Sequence, residues 1–140
     1  MDRAVLVNLF TTNNWQQHFK DCIEEGMEVD SSSFDDGWTL LHYACDAENF
    51  EAMTWLLKHG ADINAQDDHG WTVLHHAVET DIEFAIAANL DVEFRGAKFL
   101  LEQGADTQKQ DQKGCTPRDV VAGFGETILN QYDALVKDYS

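Results

Sequence analysis

The hexapeptide Gly37-Trp-Thr-Leu-Leu-His42 returns 33 residues later as Gly70-Trp-Thr-Val-Leu-His75. A second phrase also recurs: Leu56-Leu-Lys-His-Gly-Ala-Asp62 matches Leu100-Leu-Glu-Gln-Gly-Ala-Asp106, 44 residues on. A third head, Gly114-Cys-Thr-Pro-Arg-Asp119, follows Gly70 by 44 residues, and Gly26-Met-Glu-Val-Asp30 repeats the tail near the start. Self-similarity at a fixed period restricts a chain to architectures in which one small unit stacks on the next. The two head-to-head spacings differ by 11 residues, so the second unit is the first with an insertion.

Each unit reads as a pair of short helices. Thr39 and Thr72 stand where a side chain can cap a helix with apolar positions Leu41, Ala44 and Cys45, or Leu74, Ala77 and Val78. A second helix is predicted over Phe50 to His59, with Ala52, Met53, Leu56 and Leu57 on its buried side and Gly60 as its left-handed stop. Neither helix can bury its face alone, so neighbouring pairs must stack.

These residues resemble ankyrin repeats. G-W-T-L-L-H-Y-A-C at 37–45 and W-L-L-K-H-G-A-D-I-N-A-Q-D at 55–67 are similar to the family's two signature stretches, and its period of 33 matches the first spacing. The proline usual in the head is Leu40 and Val73 here, surviving as Pro117, and Arg118-Asp119 stands where Leu-His is typical. The resemblance implies an all-α solenoid of helix-turn-helix units with inter-repeat hairpin loops, one domain over 1–140. Its expected units are an N-terminal cap at 2–36, a repeat at 37–69, a repeat with the insertion at 70–113, and a C-terminal cap at 114–140. The resemblance also implies that His42 and His75 make structural hydrogen bonds between repeats.

The insertion covers about 81–91, from Asp81 to Asp91. Its alanine-rich first part predicts that the preceding helix continues for about two more turns. Asn89-Leu-Asp91 reads as a turn, with Asp91 capping the next helix. Two readings stay open: a lengthened hairpin that packs on itself, or an addition used in binding. Phe84 and Ile86 need cover in both.

Charge narrows the possible functions. Of 140 residues 26 are acidic and nine basic, a formal −17, which argues against nucleic acid as a direct ligand because phosphate binding needs a basic footprint. The apolar run Ala4 to Phe10 is too short to span a bilayer and no cleavage site follows it, so a cytoplasmic protein without membrane attachment is expected. Cys22, Cys45 and Cys115 fit no zinc framework and are expected as reduced, mostly buried thiols.

No residue pattern points to catalysis. H-E-x-x-H, G-x-S-x-G and a phosphate-cradling glycine loop are all missing from the sequence. Asp30 to Gly37 lacks the alternating oxygen ligands and closing glutamate of a calcium loop. His69 and His76, near Asp67 and Asp68, read as surface contacts rather than ligands. No catalytic residue, metal or cofactor is assigned, and no small-molecule substrate is expected.

What remains is a binding surface. In ankyrin arrays the hairpin tips and the exposed positions of the first helices line one concave face. Carried over by position, the resemblance puts Asp35, Asp36 and Trp38 on one tip and Asp68, His69 and Trp71 on the next. Tyr43 and Asp46, then His76 and Glu79, take the adjacent helix positions. Trp38 and Trp71 are expected side by side, unless each folds back over its own hairpin. Aromatic anchors inside a charged rim compose an interaction hot spot. The charge exceeds the roughly 2–8 units that keep a small domain soluble, which points to a basic partner protein. The expectation is a non-enzymatic, stoichiometric binder or inhibitor, immunity- or antitoxin-like, with acidic steering of association. An adaptor that holds partners without blocking them is the alternative. A nucleic-acid mimic fits less well, because tryptophans interrupt the carboxylates.

Overall fold

The computed structural model describes residues 8, 14–26, 28–30 and 36–139, without the side chains of residues 22 and 23. Seven helices are found among them: α1 (Trp15–Glu24), α2 (Leu40–Asp46), α3 (Phe50–Lys58), α4 (Val73–Ala88), α5 (Arg95–Glu102), α6 (Pro117–Ala122) and α7 (Glu126–Lys137). The chain is all-helical over the described residues, with a lone antiparallel bridge between Gln66 and Thr72. None of these helices is long and apolar enough to cross a membrane.

Three helices begin with one device. In α2, α4 and α6 the N-cap threonine (Thr39, Thr72, Thr116) accepts from the backbone N–H three residues on, and that residue's side chain reaches back to the threonine N–H. The reciprocal pair satisfies amides that a helix start leaves without partners; losing such a cap costs about 1 kcal/mol. The histidines go further. His42 Nδ1 accepts from Thr39 N–H at 3.2 Å, which leaves Nε2 to donate to Trp71 O at 3.1 Å. His75 does the same between Thr72 N–H and Cys115 O, at 3.1 and 2.9 Å. Each histidine joins the cap of its own helix to the next head, as the resemblance implied. Asp119 caps Thr116 N–H at 2.9 Å in the same way, but a carboxylate is too short to span to a further unit. Its neighbour Arg118 instead holds α7, through Asp133 at 2.8 Å.

The core lies between the stacked pairs. Helix α4 buries Val73, Leu74, Ala77, Val78, Ile82 and Ala85, packed against α2, α5 and α6. Leu40, Leu41, Ala52, Met53, Leu56, Ala97 and Leu100 share one buried cluster with Val73, Leu74, Ala77, Val78 and Ile82. Each fully buried aliphatic chain contributes about 1.5–3 kcal/mol. Leu57, expected on the buried side of α3, is half-buried. At the near end Trp15 and Phe19 of α1 set their rings 6.2 and 6.5 Å from Trp55.

Successive hairpins touch through glycine. Gly37 and Gly70 sit at φ +73° and +79°, and a Cβ on either would fall 2.8 Å from the backbone nitrogen of Asp68 or Gln112. Those amides donate across the junction, Asp68 N–H to Asp36 O at 3.2 Å and Gln112 N–H to His69 O at 3.1 Å. Gly114 has the same left-handed φ, yet a Cβ there meets nothing within 4 Å.

The insertion lengthens α4 to 16 residues against seven in α2, ending at left-handed Asn89. Asp91 does not cap the next helix. The N-cap of α5 is Phe94, a buried residue at φ +51° with no side-chain cap bond. The acceptor comes from α4 instead: Asp81 takes Gly96 N–H at 3.4 Å and Ala97 N–H at 3.1 Å. A cap borrowed from the preceding helix fastens the elongated α4 to α5.

Candidate functional site

Of the residues carried onto the hairpin face, Asp35 lies outside the described residues. Asp46, Asp68 and His69 are exposed, while Asp36, Trp71, His76 and Glu79 are half-buried. Trp38 and Tyr43 are only 9% and 2% exposed, so neither is a free contact anchor. The reason is local packing. The Trp38 ring centre lies 5.0 Å from Tyr43, 5.8 Å from His42 and 4.8 Å from His76, and the Tyr43 hydroxyl donates to Asp36 at 3.4 Å. Trp38 and Trp71 therefore meet through His76, each 4.8 Å from its ring, rather than standing side by side on the surface.

Asp67, which is not among the residues that the resemblance carries onto the hairpin face, organises this region. One carboxylate oxygen accepts from His69 N–H and Trp71 N–H, both at 2.9 Å, and the other meets His76 Nε2 at 2.7 Å. Burial pushes its pKa up, but the bonds from His76, Trp71 and His69 outweigh that and hold it below the ordinary carboxylate value. Asp111 repeats the turn in the next hairpin, accepting from Lys113 and Cys115 N–H at 2.8 and 2.9 Å, and also fixes the Trp71 indole N–H at 3.0 Å. The signal was present in the sequence: an aspartate stands three residues before both Gly70 and Gly114.

His42, Asp67 and His76 bring possible ligand atoms within 4.8 Å of one another. Both His42 nitrogens are already committed, to Thr39 N–H and to the Trp71 carbonyl, so the trio is arranged for hydrogen bonding. Burial drives His42 down to about 4 despite the opposing pull of that carbonyl, which keeps the ring neutral. Cys45 is buried and Cys115 half-buried, both free thiols; burial pushes the Cys45 thiol up, away from a reactive thiolate. The Cys22 side chain lies outside the described residues.

Trp71, held by Asp111, walls a groove of about 510 Å³ between the second and third hairpins, shared with His69, His76, Cys115 and Asp119. An open groove with a fixed indole and carboxylates on its sides suits a protruding side chain of another protein better than an enclosed substrate.

A family model described as ankyrin repeats, three copies, matches residues 12–111. Ankyrin repeat domain-containing protein 40 of Homo sapiens is 42% identical over 40 residues, and that of Mus musculus 40% over 40 residues. These matches cover 29% of this chain and 11% of each relative. The crystal structure of the ankyrin repeat domain of Bcl-3, a unique member of the IkappaB protein family, matches with a TM-score of 0.65 at 21% identity. That superposition covers 89% of this chain and 50% of the other, and shows the likeness of fold. The matched stretch spans about a tenth of the length of the curated relatives.

Proposed function

The chain belongs to the ankyrin-repeat family, whose repeats are protein–protein interaction modules, and we propose that it is a non-enzymatic, stoichiometric binder of a basic protein. The proposal treats the chain as one cytoplasmic domain, with a cap at each end and two internal units. Its contact surface is the hairpin face, now centred on Trp71 with Asp36, Asp46, Asp68, His69 and Glu79 around it. The observation that carries this reading is the Trp71 groove: a half-buried indole locked by Asp111, at the edge of a carboxylate-rich surface. A rigid aromatic loses little conformational freedom on binding, and the carboxylates steer a cationic partner towards it. Masking such a partner's active site would make the chain an inhibitor of the immunity or antitoxin kind.

The test starts from the whole chain, immobilised and exposed to cell lysate at low and at high salt. The expected result is one basic protein that is lost at high salt and whose own activity falls when the chain is added. With that partner, Trp71→Ala is expected to weaken binding by about 2 kcal/mol while leaving the helical circular dichroism unchanged. Asp36→Lys with Asp68→Lys is expected to slow association and flatten its salt dependence. A partner that stays fully active in the complex makes the chain an adaptor instead. Unchanged affinity in a folded Trp71→Ala variant removes the site.

A further inference from the structure

The insertion leaves apolar surface uncovered at the end of α4 remote from the hairpins. Among the described residues four large hydrophobic side chains are exposed, and three of them, Phe84 (64%), Ile86 (58%) and Leu90 (63%), fall within seven residues of one another. Phe84 lies 12 residues beyond the Thr72 cap, about 18 Å along the helix, so this patch is well separated from the Trp71 groove. Ile86, two residues after Phe84, stands about 160° round the helix from it, across the buried stripe of Ile82 and Ala85, so it belongs to a separate exposed face.

Phe84 and Leu90 also wall a cavity of about 290 Å³ with Phe94 at its side. Its remaining lining is strongly acidic: Glu48, Asp91 and Glu93 stand on it, together with Asp81. The one cation there, Arg95, has its guanidinium 5.9 Å from the Phe50 ring centre, in a contact with α3. Left-handed Asn89 and Phe94 bracket the loop that shapes the cavity.

We propose that this cavity, with the exposed Phe84 and Leu90 on its wall, forms a second protein-docking surface, whose occupant is a cationic amphipathic helix of a partner protein. Its apolar face covers Phe84 and Leu90, and a lysine or arginine enters the cavity. The chemistry selects that residue type: its methylene stem lies along Phe84 and Leu90 while its charged head meets Glu48, Asp91 and Glu93. A second copy of this chain is disfavoured as occupant, because two chains of formal charge −17 repel. The proposal does not depend on the hairpin face being a binding site.

The probe is a synthetic amphipathic helix of leucine and lysine, titrated against the full chain by fluorescence anisotropy. A leucine/glutamate helix and an unstructured glycine/lysine peptide of equal charge serve as comparisons. The expected order is tight binding of the leucine/lysine helix, weaker binding of glycine/lysine, and none of leucine/glutamate. Phe84→Ser with Leu90→Ser, a serine variant at exposed positions whose change leaves the core intact, is expected to weaken the leucine/lysine helix about tenfold or more. Glu93→Lys with Asp91→Lys is expected to do the same, whereas Trp71→Ala leaves it unchanged. The proposal is overturned if the serine variant binds as tightly as the parent, or if glycine/lysine binds as well as leucine/lysine. It is also overturned if sedimentation shows a dimer that the serine variant dissolves, or if the parent binds neutral phosphatidylcholine vesicles through these side chains.

Discussion

Asp81 and His42 titrate in opposition over the same pH range. Burial pushes the Asp81 carboxyl from 3.8 up to about 6, against the Ala97 and Gly96 amides that favour its charge. A folded carboxyl that holds its proton this tightly contributes stability that is full below about pH 3.8 and is lost as pH rises through about 6. Burial takes His42 from 6.5 down to about 4, so its contribution is full above about pH 6.5 and is lost as pH falls through about 4. Asp81→Asn keeps an oxygen for the Ala97 amide and removes one of the two slopes. The variant is expected to be more stable than the parent at pH 7 by about 1–3 kcal/mol, and to lose stability more steeply between pH 6.5 and 4. Urea unfolding at a series of pH values checks both signs, and an identical pH profile would sink the assignment. At this scale the sequence was readable wherever partners are close along the chain. Thr39 with His42 and Thr72 with His75 are three residues apart, so their capping follows from spacing alone. Asp81 and Ala97 are 16 residues apart, joined only once the loop between them has folded, and Asp91 offered a nearer acceptor that the structure does not use. The burial of Trp38 was hidden for a different reason: its position is equivalent to that of Trp71, but its surroundings are not.

Between elements, Gly70 and Gly114 provide a matched pair. Both hold a left-handed φ at the head of a unit, and only Gly70 has a neighbouring backbone against its α-carbon. Gly114→Ala is expected to cost about 1–2 kcal/mol, the penalty of a left-handed conformation with a side chain. Gly70→Ala is expected to cost more than about 3 kcal/mol, because the Gln112 backbone has to move as well. Thermal unfolding of the two variants measures the difference, and equal losses would mean that the junction yields easily. The repeated phrase made both glycines conspicuous without separating them, since the distinction lies in what stands next door. The extra length of α4 was legible for the opposite reason: an alanine-rich run continues a helix by its own local preference. The start of α5 was not, because Phe94 begins that helix in a left-handed conformation with no capping side chain of its own.

Over the whole molecule, α4 is the element that meets α2, α5 and α6, while α3 and α7 lie to either side. In a stack with mainly near-neighbour contacts, stability is greatest where neighbours are present on both flanks. Native-state hydrogen exchange is therefore expected to be slowest in α4, from Ala77 to Ala85, and faster in α1 and α7. Faster exchange in α4 than in the terminal helices would contradict that order. Fold class, capping threonines and inter-unit histidines were legible in the sequence because a period reports itself. The Trp71 groove was legible in part, since its walls come from two hairpins 44 residues apart. One consequence reaches into protein engineering. The Asp81 lock begins and ends inside the stretch from Gly70 to Lys113, and that stretch joins its neighbours through the repeating head residues and through Phe94 and Arg95. The enlarged unit is therefore a cassette that carries its own fastening but not its own lid: transplanted into another array of the same kind, it needs ring partners in place of Tyr132 and Phe50, on which Phe94 and Arg95 rest.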